Sequence, residues 1–327
     1  MKQSEPIYLG IDIGGTKVAS GLVNGDGDVL YKTRVPMISN RDAATGFAAV
    51  RDAIDATLAA NPGVTVAGIG ICSPGPLDPH TGVVTNPPNL PCWRGFPLAD
   101  EVVKAYGLPT KVDNDANAAG LAESLWGAAK GYDEVFYATL GTGVGTGIIL
   151  NGKIFHGRTG AAAEGGHMTI NFSGPKCGCG KNGCIEAYAS GSAIGRRARN
   201  ELGENSTSKM VELAGGNVNA VTAEIVAQAW RAGDPLATRV LEETADLLAI
   251  WLGNIVDLLE PKIMVIGGGV GELASHWFHH IQEQLPKWSV NQRCNEIPLK
   301  LARYNADAGL AGAAALCLSG ARTEVVA

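Results

Sequence analysis

The stretch GIDIGGTKVASGLVNGDG (10–27) and the stretch ATLGTGVGTGIILNGK (138–153) follow one plan. Each reads as an apolar strand, a Gly/Thr-rich turn, a second apolar strand and a tight turn of Asn, Gly or Asp. Around the first copy, IYLGIDIG (7–14) enters, VASGLVN (18–24) returns and VLYKTRVP (29–36) supplies a third strand. Around the second, VFYATLG (135–141), TGIILNG (146–152) and KIFHG (153–157) repeat the order. The pattern predicts a duplicated α/β unit: an antiparallel three-stranded start followed by alternating helices and strands. Two such halves would face each other across a cleft.

The rest of the chain fits that plan. Asn40 is placed to cap a helix in which Phe47, Val50, Ile54 and Leu58 recur at helical spacing. VAGIGIC (66–72) reads as a buried strand, 97–106 as a helix, PTKVDN (109–114) as a short strand and 116–130 as an alanine-rich helix. Later come a long helix near 234–259, a buried strand KIMVIGGG (262–269) ending in glycines, and an alanine-rich helix over 308–319.

Composition narrows the function classes. The chain has 327 residues, 46% of them hydrophobic and 18% charged, which is ordinary for a packed globular protein of about two domains. A net charge of -6 argues against binding to nucleic acid or to anionic membranes through overall charge. No apolar run has bilayer length, and the N-terminus enters a strand pattern almost at once, so a cytoplasmic protein with reduced thiols is expected.

The Gly/Thr turns DIGGTK (12–17) and GTGVGTG (141–147) are candidate phosphate cradles. Backbone N–H groups in such turns form concave anion sites, and Thr16, Lys17 and Thr142 could add donors. Taken singly, each could be a plain hairpin turn. A third cluster, IGGG (266–269), lacks the G-x-G-x-x-G spacing of a dinucleotide fingerprint, and the chain has no P-loop motif. Two such turns on two matching hairpins, with a glycine-ended strand late in the chain, resemble the actin-like ATPase superfamily, in which the hairpins clasp nucleotide phosphates.

In VDNDANAAG (112–120), Asp115 stands where a strand gives way to a helix. There it could act as an N-cap or as a catalytic base. Asn114 beside it could bond a hydroxyl of the acceptor. The stretch HMTINFSGPKCGCGKNGCIEAY (167–188) holds Cys177, Cys179 and Cys184. Three thiolates on a short glycine-rich loop suit zinc, and His167 could complete a tetrahedral Cys3His set. C-x-C is not the C-x-x-C redox spacing, and three thiols leave one over. Cys72, Cys92, Cys294 and Cys317 are isolated and read as small buried hydrophobes.

Together DIGGTK, PGPLD (74–78), NLPCW (89–93), NDANA (114–118), GTGVGTG, E-G-G-H (164–167), C-x-C-G-x-x-G-C-x-E (177–186) and IGGGV (266–270) resemble the ROK family of sugar kinases and related repressors over essentially the whole chain. The resemblance is nearest to the bacterial glucokinases of that family. It implies a two-domain actin-like ATPase (ribonuclease H-like) fold with an interdomain active-site cleft. The smaller domain would be 1–118 plus a C-terminal helix over about 306–327, and the larger 119–305, with the zinc loop at 167–186.

It also implies an ATP-dependent hexose kinase of carbohydrate metabolism that phosphorylates the 6-hydroxyl of glucose. The alternatives are N-acetylglucosamine, N-acetylmannosamine, mannose or fructose. Asp115 would be the base, and Gly75, Asn89, Asn114, Glu164, His167 and Glu186 would hold the sugar. Asp12 would help position Mg2+, while Gly14, Gly15, Thr16, Lys17, Gly141, Thr142, Gly143, Gly145, Gly268 and Gly269 would hold ATP. A structural Zn2+ on His167, Cys177, Cys179 and Cys184 and a homodimer or homotetramer belong to the same expectation. A repressor would need a DNA-binding segment ahead of the first hairpin, where the first strand is already expected at about Ile7. Two residues depart from the family pattern: Ala163 where many members have glycine, and Gly165 where a bulkier apolar residue is common.

Overall fold

The computed structural model describes residues 5–203 and 207–318. The first copy folds into three strands, β1 (Ile7–Ile13), β2 (Lys17–Val23) and β3 (Val29–Pro36). Helix α1 (Ala43–Ala60) follows, then β4 (Val66–Ser73), the short β5 (Leu77–Asp78) and β6 (Val83–Val84), α2 (Leu98–Tyr106), β7 (Thr110–Asn114) and α3 (Asp115–Leu125). The second copy supplies β8 (Val135–Leu140), β9 (Val144–Leu150) and β10 (Lys153–Ile154). Helices α4 (Glu186–Ala189), α5 (Gly191–Glu201), α6 (Lys209–Leu213), α7 (Ala223–Arg231) and α8 (Pro235–Leu259) come next. The chain closes with β11 (Ile263–Gly267), α9 (Gly269–Ala274), α10 (Phe278–Gln284), β12 (Leu299–Leu301) and α11 (Ala308–Leu316).

The duplication survives as topology. One five-stranded sheet has the order β3-β2-β1-β4-β7 and the other β10-β9-β8-β11-β12. In the first, β2 pairs antiparallel with β1 and β3, while β4 pairs parallel with β1 and β7. In the second, β10 pairs antiparallel with β9, and β11 pairs parallel with β8 and β12. Strands buried on both faces read as apolar runs. Accordingly β11 is buried throughout, whereas β3, at an edge, never passes below partial exposure.

Contacts divide the chain into two compact units: Met1–Glu134 with Gly147–Ala163 and Arg303–Ala327, and Val135–Thr146 with Glu164–Ala302. The boundary expected after 118 falls inside α3, which this division keeps whole. Of the C-terminal helix expected over 306–327, α11 spans Ala308–Leu316, and residues 319–327 lie outside the described residues. This helix returns to the first unit and packs on β1, β4 and α3. Gly10 and Gly70 make that approach possible, since a Cβ on either would overlap the carbonyl oxygen of Leu310 or Ala313.

Two local expectations need correction. Helix α1 is capped by Asp42, not Asn40: the Asp42 carboxylate accepts the Thr45 N–H at 2.7 Å. A charged acceptor at a helix N-terminus gains from the helix dipole as well as the bond. The alanine-rich helix stops at Leu125 rather than 130. Buried Glu123 ends it, because its carboxylate accepts the N–H of Ala128 at 2.7 Å and that of Tyr304 at 3.0 Å.

Candidate active site and metal centre

In the first unit, the carboxyl ends of the central strands gather the acidic residues. Asp12 on β1 pairs in register with Cys72 on β4, which pairs with Asp113 on β7. Asp115 opens α3 just beyond. The N-cap role falls to Asn114. Its side-chain oxygen accepts the N–H groups of Ala116 at 2.9 Å and Asn117 at 3.5 Å, which makes Asn114 the N-cap. Asp115 sits in the first turn with its side chain open to solvent, and one oxygen accepts the Ala116 N–H at 2.8 Å. Desolvation by surrounding protein raises its pKa against the pull of that bond and of its own N–H.

Asp12 is half-buried, and burial lifts its pKa from 3.8 to about 6. The charge of Asp115 lifts it further, while Lys17 and Arg34 oppose the rise. Two carboxylates that raise one another's cost of ionisation are a natural seat for a divalent cation. The DIGGTK turn lies alongside. The Gly14 N–H donates to the Lys17 carbonyl at 2.9 Å, and Thr16 and Lys17 are exposed. A Cβ on Gly15 would lie 3.0 Å from the Asn89 oxygen, which places the NLPCW loop against this turn. Gly75, followed by a cis peptide to Pro76, lies beside the Asn114 side-chain nitrogen. Thus Asp12, Asp115, Asn114 and Gly75 form one neighbourhood, and Gly15 meets Asn89 within the same unit.

In the second unit, residues 164–186 build a candidate metal centre. Gly165–His167 form a short 3-10 turn held by two bonds. The Gly165 N–H donates to Thr146 Oγ1 at 2.8 Å, and buried Trp251 donates its indole N–H to the Gly165 carbonyl at 3.0 Å. A Cβ on Gly165 would press Thr146 Oγ1 at 2.9 Å. The departure to glycine at this position therefore goes with a tighter Thr146 bond. Ala163, the other departure, has φ 63°, a left-handed conformation that suits glycine better than alanine.

The turn aims His167 at the cysteine loop. The ligand atoms of His167, Cys177, Cys179 and Cys184 all lie within 4.8 Å of one another. Cys179 and Cys184 sulfurs are 3.6 Å apart, and Cys177 sulfur is 3.7 Å from His167 Nδ1. A tetrahedron with Zn–S bonds of about 2.3 Å has sulfurs about 3.8 Å apart, so the four donors fit zinc in number, type and spacing. Burial pushes the Cys177 thiol up to about 12 and raises Cys184, whereas the Lys181 N–H lowers Cys179. Cation binding must therefore displace protons from buried thiols. Glu186 borders the cluster. Its Oε2 accepts the Val144 N–H at 3.0 Å, and its Oε1 lies 3.8 Å from His167 Nδ1. Glu164 presents an exposed carboxylate with no partner among the described residues. Of the isolated cysteines, Cys72 and Cys294 are buried, while Cys92 and Cys317 are only half-buried.

A cavity of about 920 Å3 opens in the second unit against the GTGVGTG turn. Of the glycines and threonine that the family resemblance assigns to ATP in this unit, Gly141, Thr142 and Gly269 line it, whereas Gly143, Gly145 and Gly268 stand outside its wall. Gly143 instead faces Glu186, and Gly268 adopts φ 82° hard against the Leu140 carbonyl. Sequence reading missed Gly191 and Ser192 at the start of α5, as well as Gln228, Arg231 and His276. The Gly191 N–H donates to the Gly141 carbonyl at 2.7 Å, and Ser192 Oγ donates to the Thr142 carbonyl at 3.1 Å. The signal available was A-S-G-S (189–192), a serine N-cap before glycine at a helix start.

The model for the ROK family matches residues 8–319. A glucokinase of Thermotoga maritima is 34% identical over 309 residues, which are 94% of this chain and 96% of that protein. An N-acetylmannosamine kinase of Escherichia coli is 33% identical over 311 residues, covering 95% and 98% of the two chains. The structure of a ROK family glucokinase from Streptomyces griseus in complex with glucose and AMPPNP is 35% identical. It aligns with a TM-score of 0.79 over 95% of this chain and 98% of that one. With two sheets of one strand order, the α/β architecture is that of the actin-like ATPases. The chain belongs to the ROK family.

Proposed function

We propose that this protein is an ATP-dependent hexose kinase that transfers the γ-phosphoryl group of ATP to the 6-hydroxyl of glucose. Asp115 carries the reading: Asn114 does the capping, so the Asp115 carboxylate remains exposed at a strand-to-helix junction within electrostatic reach of Asp12. The family and the glucokinase relatives support the same activity. Phosphoryl transfer asks the protein mainly for positioning and charge, plus one acceptor for the hydroxyl proton.

In the proposed reaction, the 6-oxygen of the sugar attacks the γ-phosphorus. The new O–P bond forms as the bond to the β-phosphate oxygen breaks. The hydroxyl proton passes to Asp115, and ADP departs with the electron pair of the broken bond. Asn114, Asn89, Gly75, Glu164, His167 and Glu186 are assigned to the sugar. Gly14, Gly15, Thr16, Lys17, Gly141, Thr142, Gly143 and Gly145 are assigned to the phosphates. Gly268 and Gly269, with the newly found Gly191 and Ser192, are assigned to the nucleoside side. Asp12 would hold Mg2+, which supplies charge neutralisation on the phosphates. The Cys3His cluster would hold Zn2+, which supplies cross-linking of the 167–184 loop rather than chemistry.

The competing reading keeps the mechanism and changes the sugar, since an N-acetylmannosamine kinase is nearly as similar as the glucokinases. A coupled ADP-release assay over glucose, mannose, fructose, N-acetylglucosamine and N-acetylmannosamine, each with ATP and with polyphosphate, decides both points. Highest kcat/KM for glucose with ATP is expected, and a tenfold or greater preference for another sugar would replace glucose in the assignment. Light scattering would test the proposed homodimer or homotetramer.

A further inference from the structure

The segment after β10 carries a contact that the proposed chemistry does not use. His156 Nε2 lies 2.6 Å from Asp113 Oδ2. Asp113 stands on β7, one residue before Asn114, with only 4% of its side chain exposed. Its second oxygen, Oδ1, accepts the Asn114 N–H at 2.7 Å and the Asn117 side-chain amide at 3.1 Å. A carboxylate buried this deeply must have its lone pairs occupied. Among the described residues, every hydrogen bond to this carboxylate comes either from the junction bearing Asn114 and Asp115 or from His156.

Asn117 shows that the junction is organised around Asp113. With its amide nitrogen turned to Asp113, the Asn117 oxygen is buried without a hydrogen-bond partner. Turned the other way, two oxygens would face each other. The orphaned oxygen is therefore the consequence of serving Asp113. His156 is constrained in the same manner. An ionised Asp113 only accepts, so Nε2 must carry the proton, which fixes the tautomer of the neutral ring. The ring also meets His80 edge-on at a centroid distance of 5.7 Å, and both imidazoles line a cavity with Lys111 and Lys153. The imidazole is thus held on two sides, and its one side-chain hydrogen bond among the described residues reaches the segment that presents the proposed base.

We infer that His156 and Asp113 form a positioning pair that holds the Asn114–Asp115 junction in the orientation needed for proton abstraction. The inference rests on the reading of Asp115 as the base. His156 acts through Asp113 and touches neither substrate. Removing its bond leaves Asp113 held through Oδ1 alone, so the carboxylate can pivot and the acceptor of the Asn114 N–H is no longer fixed from both ends. The peptide that sets the direction of the Asp115 side chain then loses its anchor. Misplacement of a catalytic group by about an ångström costs on the order of a hundredfold in rate.

The test compares two variants of similar bulk. His156→Gln can place an amide donor near the Nε2 position, whereas His156→Met fills the room without a donor. Steady-state kinetics with the saturating sugar and ATP, at a temperature where circular dichroism shows both folded, should give kcat lowered by roughly tenfold or more for the Met variant. KM for sugar and ATP should stay within about twofold, and the Gln variant should recover most of the loss. Equal kcat in the two variants would overturn the pair. If the Met variant does not fold, the double variant Asp113→Asn/His156→Met removes the buried charge along with its partner. Wild-type kcat in that folded protein would overturn the pair as well. Asp115→Asn runs in parallel: near-normal turnover there defeats the base assignment, whereas a dead Asp115→Asn with equal Gln and Met variants defeats only the positioning pair.

Discussion

Asn114 caps α3 and thereby frees Asp115, its neighbour in the chain, from that task. Asp115→Asn should therefore cost little stability and much activity. The expected result is a kcat lower by about 10^2–10^4-fold with sugar affinity within severalfold, read by coupled assay and calorimetric titration. Asn114→Ala should do the reverse in part, lowering stability by about 1 kcal/mol through the lost cap. A chemical-denaturation midpoint that moved more for Asp115→Asn than for Asn114→Ala would contradict this division of roles.

Asp12 links stability to pH. Its carboxyl is raised from 3.8 to about 6 in the folded chain, so the fold favours the protonated form. The associated stability is complete below about pH 4 and is lost as pH rises through 6. Asp12→Asn removes the ionisation and should stabilise the protein at pH 7.5 by about 1–3 kcal/mol, with the gain vanishing near pH 4. Urea melts at the two pH values check the sign. The same variant should lose Mg-ATP-dependent turnover. In the wild type, the Mg2+ requirement should rise as pH falls below about 6, because the protonated carboxyl is a poor ligand.

Removing the metal should act first on the loop and then on the sugar. A chelator, or Cys179→Ser, is expected to lower the melting temperature by several degrees and raise the sugar KM, leaving the ATP KM within about twofold. Cys179 is the exposed one of the three thiols, so its replacement disturbs packing least. Metal content by mass spectrometry should give about one zinc per chain in the wild type. A zinc-free variant with an unchanged sugar KM would reduce the metal to a remote brace.

Ala163 holds φ 63°. A left-handed alanine costs about 1–2 kcal/mol, and glycine gives back about 0.5–1 kcal/mol of that through its freer unfolded chain. Ala163→Gly should thus be neutral or stabilising by up to about 1 kcal/mol, as read by thermal melts. Ala163→Val, branched at Cβ, should destabilise clearly.

Much of this was legible in the sequence, for reasons that differ by residue. The duplicated hairpins could be read because short apolar runs and Gly/Thr turns are local signals, and the two sheets repeat one strand order. The cysteine loop was legible because close ligand spacing forces proximity. The ends of α1 and α3 were misplaced for opposite reasons. Asp42 competes with Asn40 within a three-residue window, and the stop at Leu125 depends on a buried Glu123 that also bonds Tyr304, far along the chain. His156 and Asp113 are 43 positions apart, and the Gly191–Gly141 bond joins two segments with no shared period. No local pattern announces such pairs.

The packing of α11 on β1, β4 and α3 has a consequence for synthesis. The ribosome makes β1 and β4 long before α11, yet the bare strand faces at Gly10 and Gly70 are covered by that helix. Until α11 emerges, the first unit must wait with an open, side-chain-poor surface. The second unit has no such dependence, since its last strand, β12, precedes α11. Of the two units, the one begun earlier along the chain is therefore the one that finishes folding later.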